Sequence, residues 1–351
     1  MMKRMAITSG WLSALLLLCV SVTTVSAQQN VYDKFRNRTY TNDGLLSEQD
    51  ELKLGNEVHQ QLLNPPRQQQ QEGQAQQEPQ EKPLRLIQGT ALNSYVEQLG
   101  QRLAANSLRP NIPWHFYVVD DSSVNAFATL GGHVYVHLGL LSQVKSEAQL
   151  ASVIGHEIGH IVGRHGLENV KRASGIKTQG AVILATILGA AVGGEAGAQA
   201  GNAIGSLIAG GRLMKFGREA EREADYLGLY DMERTGYNTT GMTEMFGILA
   251  QLSQGGGGGL GAIMASHPPA TERLANTQRE IDEHARGTNQ RGTQNTDNFN
   301  RVKSGLPAAS VNTAPTAATT TGGTNSNNRN TRPREGSSTT TNTGRARRPR
   351  P

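Results

Sequence analysis

Along this chain, patterned apolar stretches alternate with polar runs that have little to bury. Between Ser47 and Leu63, the residues Leu52, Leu54, Val58, Leu62 and Leu63 recur at roughly helical spacing, and Pro65-Pro66 ends the run. Residues 67–83 are rich in Gln and nearly free of apolar side chains, which predicts a mobile loop. Order resumes near Leu84, and a second helix is predicted from Ala91 to Ala105, with Leu92, Tyr95, Val96, Leu99 and Leu103 on one side. Trp114 to Val119 is aromatic and β-branched and lies between Pro113 and Asp120-Asp121, the pattern of a strand. Val124 to Leu130 and His133 to Leu138 read as two further strands around a turn at Gly131-Gly132. Ser146 and Gln149 make a capping box that opens a helix running to about His165. Its apolar set of Leu150, Val153, Ile154, Ile158, Ile161 and Val162 predicts burial.

Further on the pattern changes. Residues 181–211 are almost wholly Ala, Gly, Ile, Leu and Val, with Gly189, Gly193, Gly197, Gly201 and Gly205 at every fourth position. On a helix those glycines form a groove without side chains, suited to close packing or self-association. Glu195, Gln199 and Asn202 interrupt it, which argues against a stable bilayer span. A polar helix follows from Glu219 to Arg234, ended near Gly236, and residues 255–259 form a flexible break. Beyond Gly287 the chain is Thr, Asn, Ser, Gly, Pro and Arg, and disorder is expected to Pro351.

Composition narrows the class. With 36% hydrophobic and 5% aromatic residues, a polytopic membrane protein is excluded, and a single Cys excludes a disulfide scaffold. The net charge of +5 is local: residues 325–351 hold seven Arg and one Glu, and Lys3 and Arg4 sit at the other end. The body between carries −3, so no nucleic-acid partner is expected for it, while the basic tail can meet polyanions. Residues 1–27 read as a secretory signal: Lys3 and Arg4, an apolar run from Trp11 to Val20, and small residues at Val25-Ser26-Ala27. The alternative, an uncleaved anchor, asks for a longer apolar run. Cys19 lies inside this leader, and an exported chain without other cysteines suits a bacterial periplasm. The resulting division is a signal peptide (1–27), a helical extension with the Gln-rich loop (28–85), a central domain (86–286) and a disordered basic tail (287–351).

The candidate chemistry is concentrated at His156-Glu157-Ile158-Gly159-His160. Two His at i and i+4 face one way on a helix and can share a zinc ion. Glu157 stands beside the first ligand, where it can take a proton from water. The bland reading, a chance His-Glu pair on a surface helix, conflicts with the apolar residues around it, since unpaired polar groups there are costly. A third His would be needed at position 166, which is Gly166, so His165 reads as a helix-end side chain. Glu221 and Asp225 are also i and i+4, so one carboxylate can bind metal while the other orients an imidazole. Spacing alone leaves a solvated charged face open for Glu221 and favours it for Glu219 and Glu223. His133 and His137 share a strand face and read as core or edge residues, and His59 and His284 as solvated.

These segments together resemble a known family, the membrane-associated zinc metallopeptidases that include HtpX and the CAAX prenyl proteases, and are similar to its exported, BepA-like branch. The resemblance runs from about Glu51 to Arg273. It rests on Asn125-Ala126-Phe127-Ala128, Gly131-Gly132, Gly139-Leu140-Leu141, the His156–His160 motif, Arg164-His165-Gly166, Glu221–Asp225 and Ser266-His267-Pro268. It implies a mainly helical α+β fold of the zincin type with a small sheet. It also implies one zinc ion per chain on His156, His160 and Glu221, Glu157 as catalytic base, and Asp225 and Arg273 one layer behind the ligands. His267 matches a position that stabilises an oxyanion or masks the site. The implied activity is an endopeptidase of the periplasm, membrane-associated through residues 181–211 or free, that attacks unfolded or misassembled envelope proteins with metal-activated water. On this reading the strand from His133 to Leu138 offers its edge to an extended substrate. Leu130 stands where many relatives have Pro, and no tetratricopeptide repeat follows Arg273. The alternatives are a non-catalytic chaperone or assembly factor with a masked zinc site, and a membrane-surface adaptor. The glycine stripe also allows a homo-oligomer.

Overall fold

A computed structural model of the chain describes residues 32–40, 46–65, 82–173, 214–254, 263, 266–267, 271–284 and 292–306. The leader, the Gln-rich run, the glycine stripe at 181–211, the break at 255–259 and the basic end lie outside the described residues. The fold is mainly helical around one small mixed sheet, as the sequence implied.

Four of the described helices begin where a small oxygen-bearing side chain meets a free N–H group. In α2 (Glu48–Leu63) the Ser47 hydroxyl accepts from Asp50 N; in α3 (Ala91–Ala104) Thr90 accepts from Asn93 N. A short α1 (Asp33–Arg36) precedes them. The sheet has the order β1-β2-β4-β3, built from β1 (Leu86–Ile87), β2 (His115–Val119), β3 (Ala126–Ala128) and β4 (His133–His137). β2 and β4 are parallel, His115 opposite His133, while β3 and β4 form an antiparallel hairpin with Ala128 opposite Val134. Gly131 and Gly132 turn it with φ of 71° and 95°, a backbone that only glycine adopts freely. Alternation sends Phe116, Val118, Ala126, Ala128, Val134 and Val136 into the main core and Val119, Phe127 and Tyr135 into a smaller cluster behind.

β4 was expected to offer its edge, but β2 and β3 pair with it on both sides and all its residues are buried. Alternation within the strand could not report its neighbours. Among the described residues the open edges belong to β1 and β3.

After α4 (Leu138–Gln143) comes the helix that carries the motif, α5 (Glu147–Val162), with every residue but Val153 buried. The Ser146 cap forms as predicted, although the Gln149 side chain returns to Lys145 N instead of closing the box on Ser146. The helix stops at Val162, short of the expected His165. Arg164 takes a left-handed φ of 57°, which costs a non-glycine residue roughly 1–2 kcal/mol. Its guanidinium is held in place by Glu51 Oε2 at 2.9 Å and the Leu46 carbonyl at 2.7 Å. A new helix, α6 (His165–Ala173), then starts in another direction.

α7 (Arg218–Thr235) crosses α5 at backbone contact and ends at Gly236, whose φ is 85°. An added Cβ on Gly159 would lie 2.8 Å from the Ala224 carbonyl oxygen, and one on Gly228 would lie 2.9 Å from His156 N. No side chain fits between these helices, which is how Gly159 inside the motif sets their spacing. α8 (Thr240–Gln254) and α9 (Thr271–His284) complete the helical layer. No helix among the described residues is long and apolar enough to cross a membrane.

Residues on both sides of 86–286 pack with the main core. The N-terminal extension belongs to the same core: Tyr32, Phe35 and Tyr40 join the main cluster, and Leu54 and Val58 are buried. Glu51 receives two hydrogen bonds from Arg109, at 3.1 and 3.0 Å, besides that from Arg164. Arg109 also donates to the Ile161 carbonyl, so α2 is tied to the C-terminal end of the motif helix. At the other end, residues 292–306 do not continue the expected disorder. They carry α10 (Asp297–Ser304), with Phe299 buried and Thr296 as its cap. Gln294 O accepts from Ala148 N and Asn295 Oδ1 from Glu147 N, satisfying free donors at the start of α5. Thr296 N donates to the buried Glu147 carboxylate at 2.9 Å. A composition poor in apolar residues concealed this segment, whose docking depends on polar partners over a hundred positions away.

Candidate metal centre

The crossing of α5 and α7 sets the site. His156 and His160, four residues apart on α5, turn their Nε2 atoms toward one another at 3.0 Å. Glu221, in the first turn of α7, brings its carboxylate to 3.6 Å from His156 Nε2 and 3.5 Å from His160 Nε2. His267 completes the group, with Nδ1 3.0 Å from Glu221 Oε1 and 3.3 Å from His156 Nε2. One ligand-capable atom from each of His156, His160, Glu221 and His267 lies within 4.8 Å of the others, and all four residues are buried. The carboxylate expected some sixty positions downstream is therefore beside the two imidazoles, and Asp231, on the same helix, is not part of the cluster.

Behind these residues stands a layer that orients them. Asp225 Oδ1 is 3.0 Å from His156 Nδ1, so that ring carries its proton on Nδ1 and keeps the Nε2 lone pair facing inward. Arg273 grips Asp225 with two hydrogen bonds, at 2.6 and 2.8 Å, and reaches Glu221 Oε2 at 2.7 Å. Asp225 and Arg273 thus lie directly behind His156 and Glu221. Phe216 stacks on His160 with ring centroids 3.8 Å apart and planes at 20°.

Electrostatics assigns the charge states. Burial alone would raise Glu221, but His267 and Arg273 outweigh it and hold the carboxyl well below the usual range. Asp225 is likewise lowered, burial being overcome by Arg273. Burial holds His160 well below the ordinary imidazole value, so it stays neutral with a lone pair to give. Glu157 goes the other way: burial raises it, against the opposing pull of His267 and His156. Its Oε2 and His267 Nε2 are buried without a hydrogen-bond partner, and Glu157 Oε1 is 3.6 Å from that His267 nitrogen.

These donors fit a zinc ion. Two imidazole nitrogens and one carboxylate converge at a buried point, the set that zinc takes in three-ligand sites. Without a cation between them, electron-rich atoms so placed would repel. His156, His160 and Glu221 would hold the ion, with Glu157 and His267 beside it.

Three expectations need correction here. Glu223 was read as solvated, but it is 2% exposed and receives two hydrogen bonds from Arg38, at 2.7 and 2.6 Å. His165 is more than a helix-end residue: its Nδ1 is 2.9 Å from His160 Nδ1 and its Nε2 is 3.3 Å from Glu223 Oε2. His59, expected in water, stacks on both Tyr117 and His133, at 4.8 Å from each. Glu219 does face solvent, as expected, and pairs there with Lys34 and Arg222. Phe216 carried no signal in the sequence. His165 did, since it lies in the Arg164-His165-Gly166 mark, although its partner could not be read.

A buried His-Glu-x-x-His helix crossed by a helix that presents a carboxylate defines a metallopeptidase of the zincin type. The family model described as peptidase family M48 matches residues 90–281, more than half of the chain, and the chain belongs to that family. It is 31% identical over 176 residues to a protein of Yersinia pestis named β-barrel assembly-enhancing protease, across 48% of this chain and 35% of that one. It is also 31% identical to the metalloprotease YcaL of Escherichia coli strain K12, across 55% of this chain and 74% of that one. To the mitochondrial metalloendopeptidase OMA1 of Arabidopsis thaliana it is 32% identical, across 48% of this chain and 32% of the relative. The chain spans well under half the length of the assembly-enhancing proteases it matches.

Proposed function

We propose that this protein is a zinc-dependent endopeptidase of the bacterial envelope that cleaves unfolded or misassembled envelope proteins. The observation that carries the reading is the meeting of His156, His160 and Glu221 beside a buried Glu157 whose Oε2 has no partner. A zinc ion, when bound, supplies a Lewis acid that polarises the peptide carbonyl and acidifies water. His156 and His160 give their Nε2 lone pairs, and Asp225 keeps the His156 proton on the far nitrogen. Burial strengthens Glu157 as a base, so it takes the proton of the attacking water and returns it to the leaving amine. His267 Nε2, free of partners and 3.6 Å from Glu157, is placed to donate to the developing oxyanion. The edge of β3, in place of β4, is then the backbone available to an extended substrate. Export of the chain and its action in the periplasm rest on the leader at 1–27, and the choice of substrate on the name borne by the relatives.

One observation favours a second reading. His267 Nδ1 lies as close to Glu221 as any ligand would, so the same residue can close the site and leave a zinc-bound assembly factor without turnover. Substitution Glu157→Gln separates the two. On the enzymatic reading, degradation of unfolded casein falls by about 10²- to 10⁴-fold while zinc content is kept. Full activity in that variant overturns the assignment of the base.

A further inference from the structure

We infer that Arg38, Glu223 and His165 form a relay of positioning residues that selects the tautomer of His160 and presents its Nε2 to the metal, an inference that rests on the zinc reading above. His156 has an acidic partner, Asp225, behind it. His160 has none. The atom behind its Nδ1 is another imidazole nitrogen, His165 Nδ1, at 2.9 Å. Two facing nitrogens share one proton, so one ring donates and the other accepts. The other side of His165 decides which. Its Nε2 is 3.3 Å from Glu223 Oε2, an acceptor, so the His165 proton sits on Nε2 and its Nδ1 has a lone pair. His160 must then donate from Nδ1, and its Nε2 lone pair is left facing Glu221 and His156. Arg38 holds the register by chelating both oxygens of Glu223.

The backbone is shaped for this arrangement. The left-handed turn at Arg164 folds α6 back so that the His165 ring lies over Gly163. An added Cβ at Gly163 would fall 2.5 Å from His165 Nε2, so that glycine leaves room for the ring. Glu223 and His165 are 2% and 6% exposed, so the contacts between His160, His165 and Glu223 are shielded from water. Arg38 lies outside the residues matched by the family model, so the relay joins an N-terminal segment to the metal centre.

Four variants of the full-length chain test the relay: His165→Phe, Glu223→Gln, Arg38→Gln and Arg38→Lys. The probe is zinc alone, titrated against a chromophoric chelator, together with ¹⁵N shifts of the His160 ring in the metal-free protein. The expected parent state has the His160 proton on Nδ1. His165→Phe, which keeps a ring over Gly163, weakens zinc binding by about 10- to 100-fold and mixes the His160 tautomers. Glu223→Gln and Arg38→Gln weaken it less, and Arg38→Lys recovers part of the loss. Arg38 is 44% exposed at its side chain, so its variants report even where His165→Phe does not fold. Unchanged zinc affinity and an unchanged Nδ1-protonated His160 in the folded variants overturn the relay. His160→Ala is the control: loss of zinc there with no effect of the relay variants refutes the relay alone, and zinc retained there refutes the metal reading itself.

Discussion

Two clusters of histidines lie in this protein, and they behave as opposites. At the α5–α7 crossing, His156, His160 and His267 meet edge to face or tilted, and their nitrogens converge on Glu221. On the back of the sheet, His59, His133 and His115 stack face to face, His133 being 4.8 Å from His59 and 5.0 Å from His115. There the nitrogens turn outward: His133 meets the Tyr117 hydroxyl and Asn56 Oδ1, each at 3.1 Å, and His59 meets the Tyr135 hydroxyl at 2.7 Å. Among the described residues no carboxylate joins that stack, and burial lowers His133 to about 3. Counting histidines therefore says little. A metal centre arises where lone pairs converge, and a stack arises where rings share faces and their nitrogens point apart.

The sharpest way to break the comparison is to remove one member of each cluster. Glu221→Ala is expected to abolish stoichiometric zinc binding, whereas His133→Ala leaves the zinc content of the folded protein unchanged, both read by elemental analysis after reconstitution. Equal zinc in both variants would mean the cation sits elsewhere. A smaller effect is expected from the helix crossing. Gly159→Ala pushes a methyl against the Ala224 carbonyl and should destabilise the fold by about 1–3 kcal/mol while weakening zinc binding. Thermal unfolding without a change in midpoint would show that α5 and α7 are not held at backbone contact.

The smallest effect belongs to the stack and appears only with pH. The folded-state value for His133 is below the ordinary 6.5, so the unfolded chain binds its proton first as pH falls. Stability from this group is complete above about 6.5 and is lost as pH drops toward about 3, by up to about 1.4 kcal/mol per pH unit. His133→Phe should flatten that slope in urea titrations at pH 7.5, 6 and 5. An equal slope in parent and variant would assign the acid sensitivity to other groups.

Local signals were legible where the chemistry is local. The cap at Ser146 and the stop near Gly236 followed from residue type, because a hydroxyl or a glycine acts within its own turn. The turn at Gly131-Gly132 followed for the same reason. The short helix α4 was missed, since Leu138 to Gln143 is too brief to show a period. So was β1, whose two residues are a strand only because β2 lies beside them.

The pairing of His156 and His160 across one helical turn, the base next to the first of them, and the burial of that helix were determined by the sequence alone. An i, i+4 spacing and an apolar face are properties of a single segment. Which acid joins them was decided by tertiary structure, through glycines that let α5 and α7 touch. The same crossing drew Glu223 inside, against His165 and Arg38, although Glu219 one helical turn away stays in water. Sequence carries the period of a helix. Its rotation against a neighbour is fixed by packing, and that rotation separates a carboxylate held at the metal centre from one left to solvent.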